Sequence, residues 1–454
     1  MAKRNYAEIP PEISQYAKRC ADNVIDRDLY DRYQVNRGLR DLNGNGILTG
    51  LTQISDVRGK SPDGQPAEGK LFYRGYNIND LVHGFLADGR FGFEEITYLL
   101  LFGDLPTRGQ TEEFKRVLGS YRSLPNSFVR DIIMKAPSSN IMNSMARSVL
   151  TYYSYDNDPD NIALDNVLRQ CVQLIAMFPQ LAVYSYQAYS YYISDSTSFF
   201  FHDALPELST AENILHMLRP DMNYSPVEAR ALDMALVVHA EHGGGNNSSF
   251  TTHVVTSTGT DTYSAIAAAL GSLKGPKHGG ANIKVVHMFR DIEENVKDWQ
   301  DEDELSHYLQ RILHKEAFDQ SGLIYGIGHA IYSRSDPRAV IFKDSVRRLA
   351  EEKGRSDEFE LYQAVERLSP EIISGERKMY KGVCANVDFY SGFAYQMLNI
   401  PEELYTPLFA IARIAGWSAH RIEELTNGNR IIRPAYKAVQ PARDYIPMSD
   451  RHLS

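Results

Sequence analysis

Residues able to move protons lie in short glycine-rich stretches in the second half of the chain. His278 stands between a Gly-Pro break and a Gly-Gly pair in residues 275–282. Apolar residues recur with a helical period in 261–273 and 281–296, which places His278 at or just before the start of the second of two helices. The positive end of a helix disfavours an imidazolium. The pattern suits a neutral imidazole that donates a hydrogen bond to an oxyanion, although a capping or buried histidine is the commoner role of such a residue.

Two further histidines, His239 and His242, are three positions apart and precede a run of three glycines. This spacing puts both rings on one face of a helix, which suits a metal site. The His-Glu-x-x-His pattern of zinc proteases is absent, because the order here is His-x-x-His. The glycines indicate either close backbone approach to a small ligand or simply the end of a helix.

A fourth histidine, His329, follows Gly326-Ile327-Gly328, and Arg338 comes nine residues after it. Free amides in a glycine-rich loop suit phosphates or the edge of an adenine. A histidine and an arginine together suit a carboxylate next to a carbonyl. The alternative is a plain loop between helices with a solvated arginine.

Asp388 lies at the start of a predicted helix over 388–398. An N-cap carboxylate is the commoner role for such an aspartate. A helix start also favours the ionised carboxylate, which is the form that a general base requires. Further on, Arg413 and Arg433 offer guanidinium forks that bind a carboxylate at two points, although surface arginines are far commoner than ligands.

The elements that must position these residues are mainly helices. Three-and-four spacing of apolar residues dominates from about residue 80 onward, and short strands are predicted at 47–54 and 71–73. The fold class is therefore mostly α, with a small β-hairpin or sheet near the N-terminus. The length of 454 residues exceeds what one core usually supports, which favours two domains.

The bulk properties exclude several functions. A net charge of −10 argues against a nucleic-acid binder. No apolar run reaches the ~18 residues of a membrane span, and residues 1–14 do not form a secretory signal. Three distant cysteines, Cys20, Cys171 and Cys384, give no disulfide framework or zinc spacing, so a cytoplasmic location is expected.

Taken in order, these stretches resemble the citrate synthase family over roughly residues 38–440. The segments that carry the resemblance are 71–76, 239–243, 275–282, 326–330, 336–338, 386–388 and 413–417. The resemblance implies a two-domain helical fold, with a large domain of 1–279 and 392–454. A small domain of 280–391 would close over the substrates.

The family condenses acetyl-coenzyme A with oxaloacetate and hydrolyses the resulting citryl-coenzyme A. The resemblance implies that no metal or cofactor is needed, the coenzyme A thioester being a substrate. By family role, Asp388 takes a proton from the acetyl methyl group and His278 donates a hydrogen bond to the thioester oxygen. His329 polarises or protonates the ketone of oxaloacetate.

Substrate-binding residues follow from the same resemblance. The residues expected to hold the carboxylates of oxaloacetate are His242, Arg338, Arg413 and Arg433. Arg433 would reach in from the partner subunit, which makes a homodimer the minimum unit. The residues expected to line the coenzyme A site are Gly326, Ile327, Gly328 and Arg334. Family members often carry a basic residue where Ser333 stands here, so the phosphate contacts are expected to differ.

Three alternatives stay open at this point. A 2-methylcitrate synthase, which uses propionyl-coenzyme A, differs by one methylene in the acyl pocket, worth about 1–3 kcal/mol. A metal-dependent hydrolase would use His239 and His242. A catalytically silent regulator would keep the fold alone, but the chain retains every expected catalytic group.

Overall fold

The computed structural model describes Ile9 and residues 11–21, 24–41, 45–194, 196, 198–377, 382–428 and 430–451. The chain divides into two compact units, Met1–Leu51 and Thr52–Ser454. Every candidate site residue lies in the second unit. Among the described residues, no helix is both long and apolar enough to cross a bilayer.

A three-stranded antiparallel sheet near the N-terminus confirms the predicted β element. It consists of β1 (Ser55–Lys60), β2 (Pro66–Tyr73) and β3 (Tyr76–Asn77), in that order. Ser55 pairs with Tyr73 at one end of the β1–β2 ladder. The strand predicted at 47–54 is wrong, because these residues are irregular and pairing begins only at Ser55.

Helices make up most of the rest, which confirms the mostly α class. The first ten are α1 (Pro11–Ala21), α2 (Arg27–Arg32), α3 (Ile78–Ala87), α4 (Phe93–Phe102), α5 (Arg108–Ser120), α6 (Ile141–Tyr152), α7 (Leu164–Tyr192), α8 (Thr210–Leu218), α9 (Pro226–His239) and α10 (Asn247–Thr256). The remaining seven are α11 (Thr262–Leu273), α12 (Ala281–Asn295), α13 (Glu302–Leu313), α14 (Pro337–Lys353), α15 (Ser356–Arg377), α16 (Val387–Met397) and α17 (Tyr405–Asn427).

Helix α17 forms the centre of the core. Almost all of its first seventeen residues are buried, including Trp417, Arg413 and Arg421, whose side chains are fully enclosed. It packs against α7, α10, α9, α11 and α4. A helix that is buried on every side is held by its surroundings, so polar side chains along it keep fixed directions.

The sheet lies against the chain segment that leads into α14. A Cβ on Gly59 would stand 2.4 Å from the carbonyl oxygen of Ile331, and one on Gly69 would stand 2.2 Å from that of Ser335. Only glycine allows the two backbones to approach so closely. The Gly69 N–H also donates to the Ser335 hydroxyl at 3.1 Å. The sheet therefore fixes the segment between His329 and α14.

Candidate active site

His278 lies in the turn between α11 and α12, as the sequence predicts. Its N–H donates to the carbonyl of Gly275 at 2.8 Å, and α12 starts three residues later. A Cβ on Gly279 would stand 2.4 Å from the Leu273 carbonyl oxygen, so glycine is required beside the histidine. Burial, aided by the positive charge of Arg413, lowers the pKa of His278 to about 4. The ring is therefore neutral at pH 7.

One nitrogen of His278 is held by Ser248 on α10. Nε2 lies 3.1 Å from the Ser248 hydroxyl. This hydroxyl also accepts a hydrogen bond from the indole N–H of Trp417 at 3.0 Å. The serine proton has two acceptors in reach, His278 and the side-chain oxygen of Asn246 at 3.0 Å. When the serine donates to Nε2, the imidazole proton is on Nδ1, and Nδ1 becomes the donor to a bound substrate.

His329 is held in a single tautomer by its own loop. Its Nδ1 accepts the backbone N–H groups of Ile331 at 3.1 Å and Tyr332 at 3.2 Å. A nitrogen that accepts carries no proton, so the proton of the neutral ring is on Nε2. The ring stacks on Tyr332, with centroids 4.7 Å apart and planes inclined by 25°. His329 therefore presents Nε2–H as its donor.

His242 follows the end of α9 and lies beside His329. Their ring centroids are 5.1 Å apart in an edge-to-face arrangement. His242 Nε2 also lies 3.2 Å from the Tyr332 hydroxyl. Burial, together with the charges of Arg338 and Arg413, lowers the pKa of His242 well below its usual value. The residue is a neutral hydrogen-bonding group next to two cations.

Asp388 occupies the first turn of α16 but is not its cap. The cap is Asn386, whose side-chain oxygen accepts the Asp388 N–H at 3.0 Å. Within the described ranges no hydrogen bond holds the Asp388 carboxylate. Burial raises its pKa to about 6, which nearby Arg338 and Arg413 partly oppose. The position of Asp388 at a helix start predicted a lowered pKa. The pKa is raised instead, because the loss of hydration outweighs the helix dipole here.

Arg338 is locked in place by Asp336 at the start of α14. Its Nε and Nη2 donate to the two carboxylate oxygens at 3.0 and 2.7 Å, and both side chains are buried. Burial alone lowers the pKa of Arg338, but Asp336 reverses this effect and the net pKa is raised. The guanidinium is a permanent, immobile cation.

Arg413 differs from Arg338 because nothing pairs with its outer edge. Its Nε donates to the carbonyl of His239 at 2.7 Å. Nη1 and Nη2 are buried and make no hydrogen bond in the described structure. Each such orphaned donor costs about 1–3 kcal/mol. Burial lowers the pKa of Arg413 to about 10, so it is still charged at neutral pH. The free edge fits a carboxylate of a bound anion.

Three of the four predicted coenzyme A residues, Gly326, Ile327 and Gly328, lie on the loop before His329. Gly326 and Gly328 have φ of +79° and +112°. The Gly328 N–H donates to the Cys384 carbonyl at 2.8 Å, and Ile327 forms an isolated bridge with Ala385. This pairing ties the loop to the residues that precede Asp388. Arg334, four residues after Ala330, is exposed.

Six of the seven predicted catalytic and oxaloacetate-binding residues come together. Electrostatic interactions join Arg413 to His278, His242 and Asp388, and join Arg338 to His242 and Asp388. Ring contact brings His329 to His242. Arg433 is the exception in the single chain, because it is exposed in the extended segment after α17.

Several residues of the cluster were not predicted from the sequence. Asp336 and Tyr332 orient Arg338 and His329, and Ser248 holds His278. Asp336 is part of the Asp-Pro-Arg segment, and a Pro after an Asp is a helix-start signal that marks it as a cap. Ser248 and Tyr332 have no such local signal.

The surroundings of His239 and His242 do not support the hypothesis of a metal site there. His239 Nδ1 donates to the Ala235 carbonyl at 2.8 Å, and its ring packs edge-to-face on Phe409. Across the residues that the structure describes, the pair joins no third histidine, cysteine or carboxylate in a ligand cluster. His239 is a core histidine.

The arrangement combines a base, two imidazole donors and two buried guanidinium groups. Asp388, with a pKa of about 6, is mostly ionised at pH 7, and His278 is neutral and donates without carrying charge. Such a set removes a proton from carbon while stabilising the negative charge that develops on an adjacent oxygen. The two arginines select a substrate with carboxylate groups.

Known proteins of one family are similar to this chain over most of its length. The family model described as "Citrate synthase, C-terminal domain" matches residues 42–435. The 2-methylcitrate synthase 1 of Corynebacterium glutamicum is 32% identical over 427 residues, which cover 92% of this chain and 99% of that protein. The citrate synthase of Synechocystis sp. is 32% identical over 419 residues, covering 90% and 93%.

Solved structures of similar proteins share the fold. A citrate synthase from Pyrobaculum aerophilum superposes with a TM-score of 0.73 at 30% identity, covering 91% of this chain and 95% of that one. A citrate synthase from Thermoplasma acidophilum, solved as a ternary complex with carboxymethyl coenzyme A and oxaloacetate, superposes with a TM-score of 0.74 at 26% identity, covering 92% of this chain and 99% of that one.

Proposed function

The chain belongs to the citrate synthase family, and we propose from this premise that it condenses acetyl-coenzyme A with oxaloacetate. Hydrolysis of the citryl-coenzyme A thioester then releases citrate and coenzyme A. The chain is an enzyme of the acyltransferase type. The observation that carries the proposal is the orphaned outer edge of Arg413, next to Arg338 and His242. A dianionic ketoacid supplies the acceptors that this edge lacks.

The first step is removal of a methyl proton from the thioester. The Asp388 carboxylate accepts this proton, and Nδ1–H of His278 donates to the thioester oxygen as the enol forms. A carboxylate is a weak base for such a proton unless the oxygen is stabilised at the same moment. One preorganised donor contributes about 3–4 kcal/mol in comparable sites. The low pKa of His278 supports its role as the donor to the thioester oxygen, because the ring is neutral at pH 7 and still carries one N–H.

The second step forms the carbon–carbon bond. The enol carbon attacks the ketone carbon of oxaloacetate, the thioester carbonyl re-forms as its hydrogen returns to Nδ1 of His278, and Nε2–H of His329 gives its proton to the ketone oxygen. The tautomer set by the amides of Ile331 and Tyr332 supports this role. Water then cleaves the thioester, and the sulfur leaves as the coenzyme A thiol.

We propose that the reaction needs no metal or redox cofactor. The base, the two donors and the arginines supply proton transfer, oxyanion stabilisation and charge neutralisation between them. The coenzyme A moiety is expected along Gly326, Ile327 and Gly328, where the positive φ angles of the two glycines shape the turn, with Arg334 exposed further along the chain.

Closure and dimerisation complete the proposal. We expect residues 280–391 to close over the substrates, because this segment carries His329, Arg338 and Asp388, while Arg413 and His242 lie outside it. Closure would exclude water and strengthen every charge interaction in the site. Arg433 is exposed in the single chain, which is consistent with donation across a homodimer interface. The three free cysteines fit a reducing, cytoplasmic environment.

A second candidate is 2-methylcitrate synthesis from propionyl-coenzyme A. Relatives with this name match at the same level of identity as those named citrate synthase. The experiment is coenzyme A thiol release with acetyl and propionyl donors, each with oxaloacetate and with 2-oxoglutarate. Higher kcat/KM with acetyl-coenzyme A and oxaloacetate supports the proposal, and higher kcat/KM with the propionyl donor supports the alternative. Activity that does not depend on oxaloacetate would contradict both.

A further inference from the structure

A second histidine cluster lies where α10 packs against α17, apart from the residues assigned to the reaction. His253 Nε2 and His420 Nδ1 are 3.0 Å apart, and their rings are inclined by 65°. Glu423 Oε2 lies 3.9 Å from His420 Nδ1. The three atoms all fall within 4.8 Å of one another. Two imidazole nitrogens and a carboxylate oxygen form a common ligand set for divalent transition metals.

Each imidazole has a carboxylate behind it. His253 Nδ1 lies 2.8 Å from Glu424 Oε2, and His420 Nε2 lies 2.9 Å from Glu241 Oε1. A carboxylate accepts, so the proton of each neutral ring is on its outer nitrogen. The inner nitrogens then face each other with two lone pairs at 3.0 Å, and a proton or a metal ion between them removes this repulsion. Metal-ligating histidines show this same backing by carboxylates.

Glu423 points an unused oxygen at the cluster. Its Oε1 accepts the backbone N–H of Gln53 at 2.7 Å, which fixes the carboxylate. Its Oε2 is buried and makes no hydrogen bond in the described structure, and the side chain is 9% exposed. A buried carboxylate oxygen without a donor is costly, and a cation satisfies it.

Space next to the two nitrogens is kept open by a glycine. A Cβ on Gly244 would stand 3.6 Å from His253 Nε2 and 3.7 Å from His420 Nδ1, in van der Waals contact with both. With glycine at all three positions, the 243–245 loop presents no side-chain atom to the two nitrogens on this side of the cluster. The side chains of His253 and of Glu424 behind it are 13% and 15% exposed, so this end of the cluster lies close to solvent.

We propose that His253 Nε2, His420 Nδ1 and Glu423 Oε2 bind a divalent transition-metal ion, with Zn²⁺ as the best match and water as the fourth ligand. Tetrahedral zinc with Zn–N bonds of about 2.0–2.1 Å places two ligand nitrogens about 3.3 Å apart. The present separation of 3.0 Å needs only a few tenths of an ångström of adjustment.

The ion would act on structure and not on the reacting atoms. It would tie α10 to α17, and through His420 it would fix Glu241, which accepts the N–H of Gly243 at 2.6 Å and the hydroxyl of Ser55 at 2.9 Å. Glu241 directly precedes His242. The ion therefore supports the loop that carries one oxaloacetate ligand without contacting the substrate.

The test is metal binding by the full-length protein after treatment with a chelator. We expect one equivalent of Zn²⁺ in competition with a chromophoric chelator, a higher Tm with Zn²⁺, and Co²⁺ absorption of four-coordinate intensity. Glu423→Gln and His253→Gln should each weaken Zn²⁺ binding at least tenfold. Glu423→Gln keeps every imidazole, so it separates this site from adventitious binding by other histidines.

His287→Gln is the matched control. His287 also pairs with a carboxylate, Glu402 at 2.8 Å, but it has no place in the cluster. This variant should bind Zn²⁺ like the unmodified chain. The proposal is overturned if the unmodified chain binds no stoichiometric Zn²⁺, in which case a proton bridges the two rings. It is also overturned if Glu423→Gln and His253→Gln keep full affinity.

Discussion

Arg413 donates its Nε–H to the main-chain carbonyl of His239 at 2.7 Å, and this single bond aims the rest of the guanidinium into the candidate site. The two terminal nitrogens are buried and unsatisfied. Buried polar groups are usually hydrogen-bonded. Arg421, about two turns further along the same helix, follows this rule, because each of its guanidinium nitrogens donates to Thr256, Thr260 or Thr262. The contrast identifies Arg413 as a ligand for an anion.

Replacing Arg413 by lysine should raise the KM for oxaloacetate at least tenfold, because an ammonium cannot form the two parallel bonds of a fork. Tenfold corresponds to about 1.4 kcal/mol. Steady-state kinetics with varied oxaloacetate measures the change. Arg421→Lys is the control on the same helix, and it should lower Tm while leaving this KM unchanged. Equal KM effects from both variants would assign Arg413 a purely structural role.

The pH dependence should report the carboxylate of Asp388. Burial raises its pKa from 3.8 to about 6, so the group is protonated and inactive as a base below that pH. We expect kcat/KM to rise about tenfold per pH unit up to about pH 6 and then to level. His278, with a pKa of about 4, stays neutral throughout this window and does not cause the limb. A limb that ends near pH 4 would contradict the effect of burial.

Removal of the His278 ring should depress turnover more than binding. His278→Ala loses the donor to the thioester oxygen, so we expect kcat to fall 10²–10³-fold, with a much smaller change in the KM for oxaloacetate. Ser248→Ala should lower kcat to a lesser extent, because it frees the ring without removing it. The adjacent Ser249, whose buried hydroxyl has no partner in the described structure, gives the control Ser249→Ala. An effect on KM alone would argue against oxyanion stabilisation.

Mixing of subunits tests the proposed role of Arg433. Arg433→Ala and Asp388→Asn should each be nearly inactive as pure dimers. In mixed dimers, one of the two sites regains both an intact Asp388 and an Arg433 from the other subunit. Random mixing should therefore restore up to about a quarter of full activity. Full activity of a monomer, or no recovery on mixing, would show that Arg433 does not act across an interface.

The local parts of the fold follow from the sequence. Helices predicted at 261–273, 281–296 and 388–398 agree with α11, α12 and α16 to within one residue at each end. Their periodicity and their Gly, Pro and Asp boundaries are encoded within a few residues. The strand predicted at 47–54 failed, because strand position is set by pairing with a distant partner, here Tyr73 with Ser55.

The site was also predicted only where the signal is local in the sequence. The motifs that resemble the family identified His242, His278, His329, Arg338, Arg413 and Asp388 as candidates. The groups that position them were missed where contact is long-range, as for Ser248, which is thirty residues from His278. The pKa direction of Asp388 was predicted wrongly, because burial depends on how α16 packs and not on the sequence near its start.

The most direct test of the account is oxaloacetate-dependent release of the coenzyme A thiol from acetyl-coenzyme A by the unmodified chain and by Asp388→Asn, with oxaloacetate binding measured by calorimetry. We predict robust release by the unmodified chain. The variant should lose at least 10³-fold in kcat and bind oxaloacetate within about threefold of the unmodified affinity. Unchanged turnover in Asp388→Asn would contradict the central claim that this carboxylate removes the methyl proton.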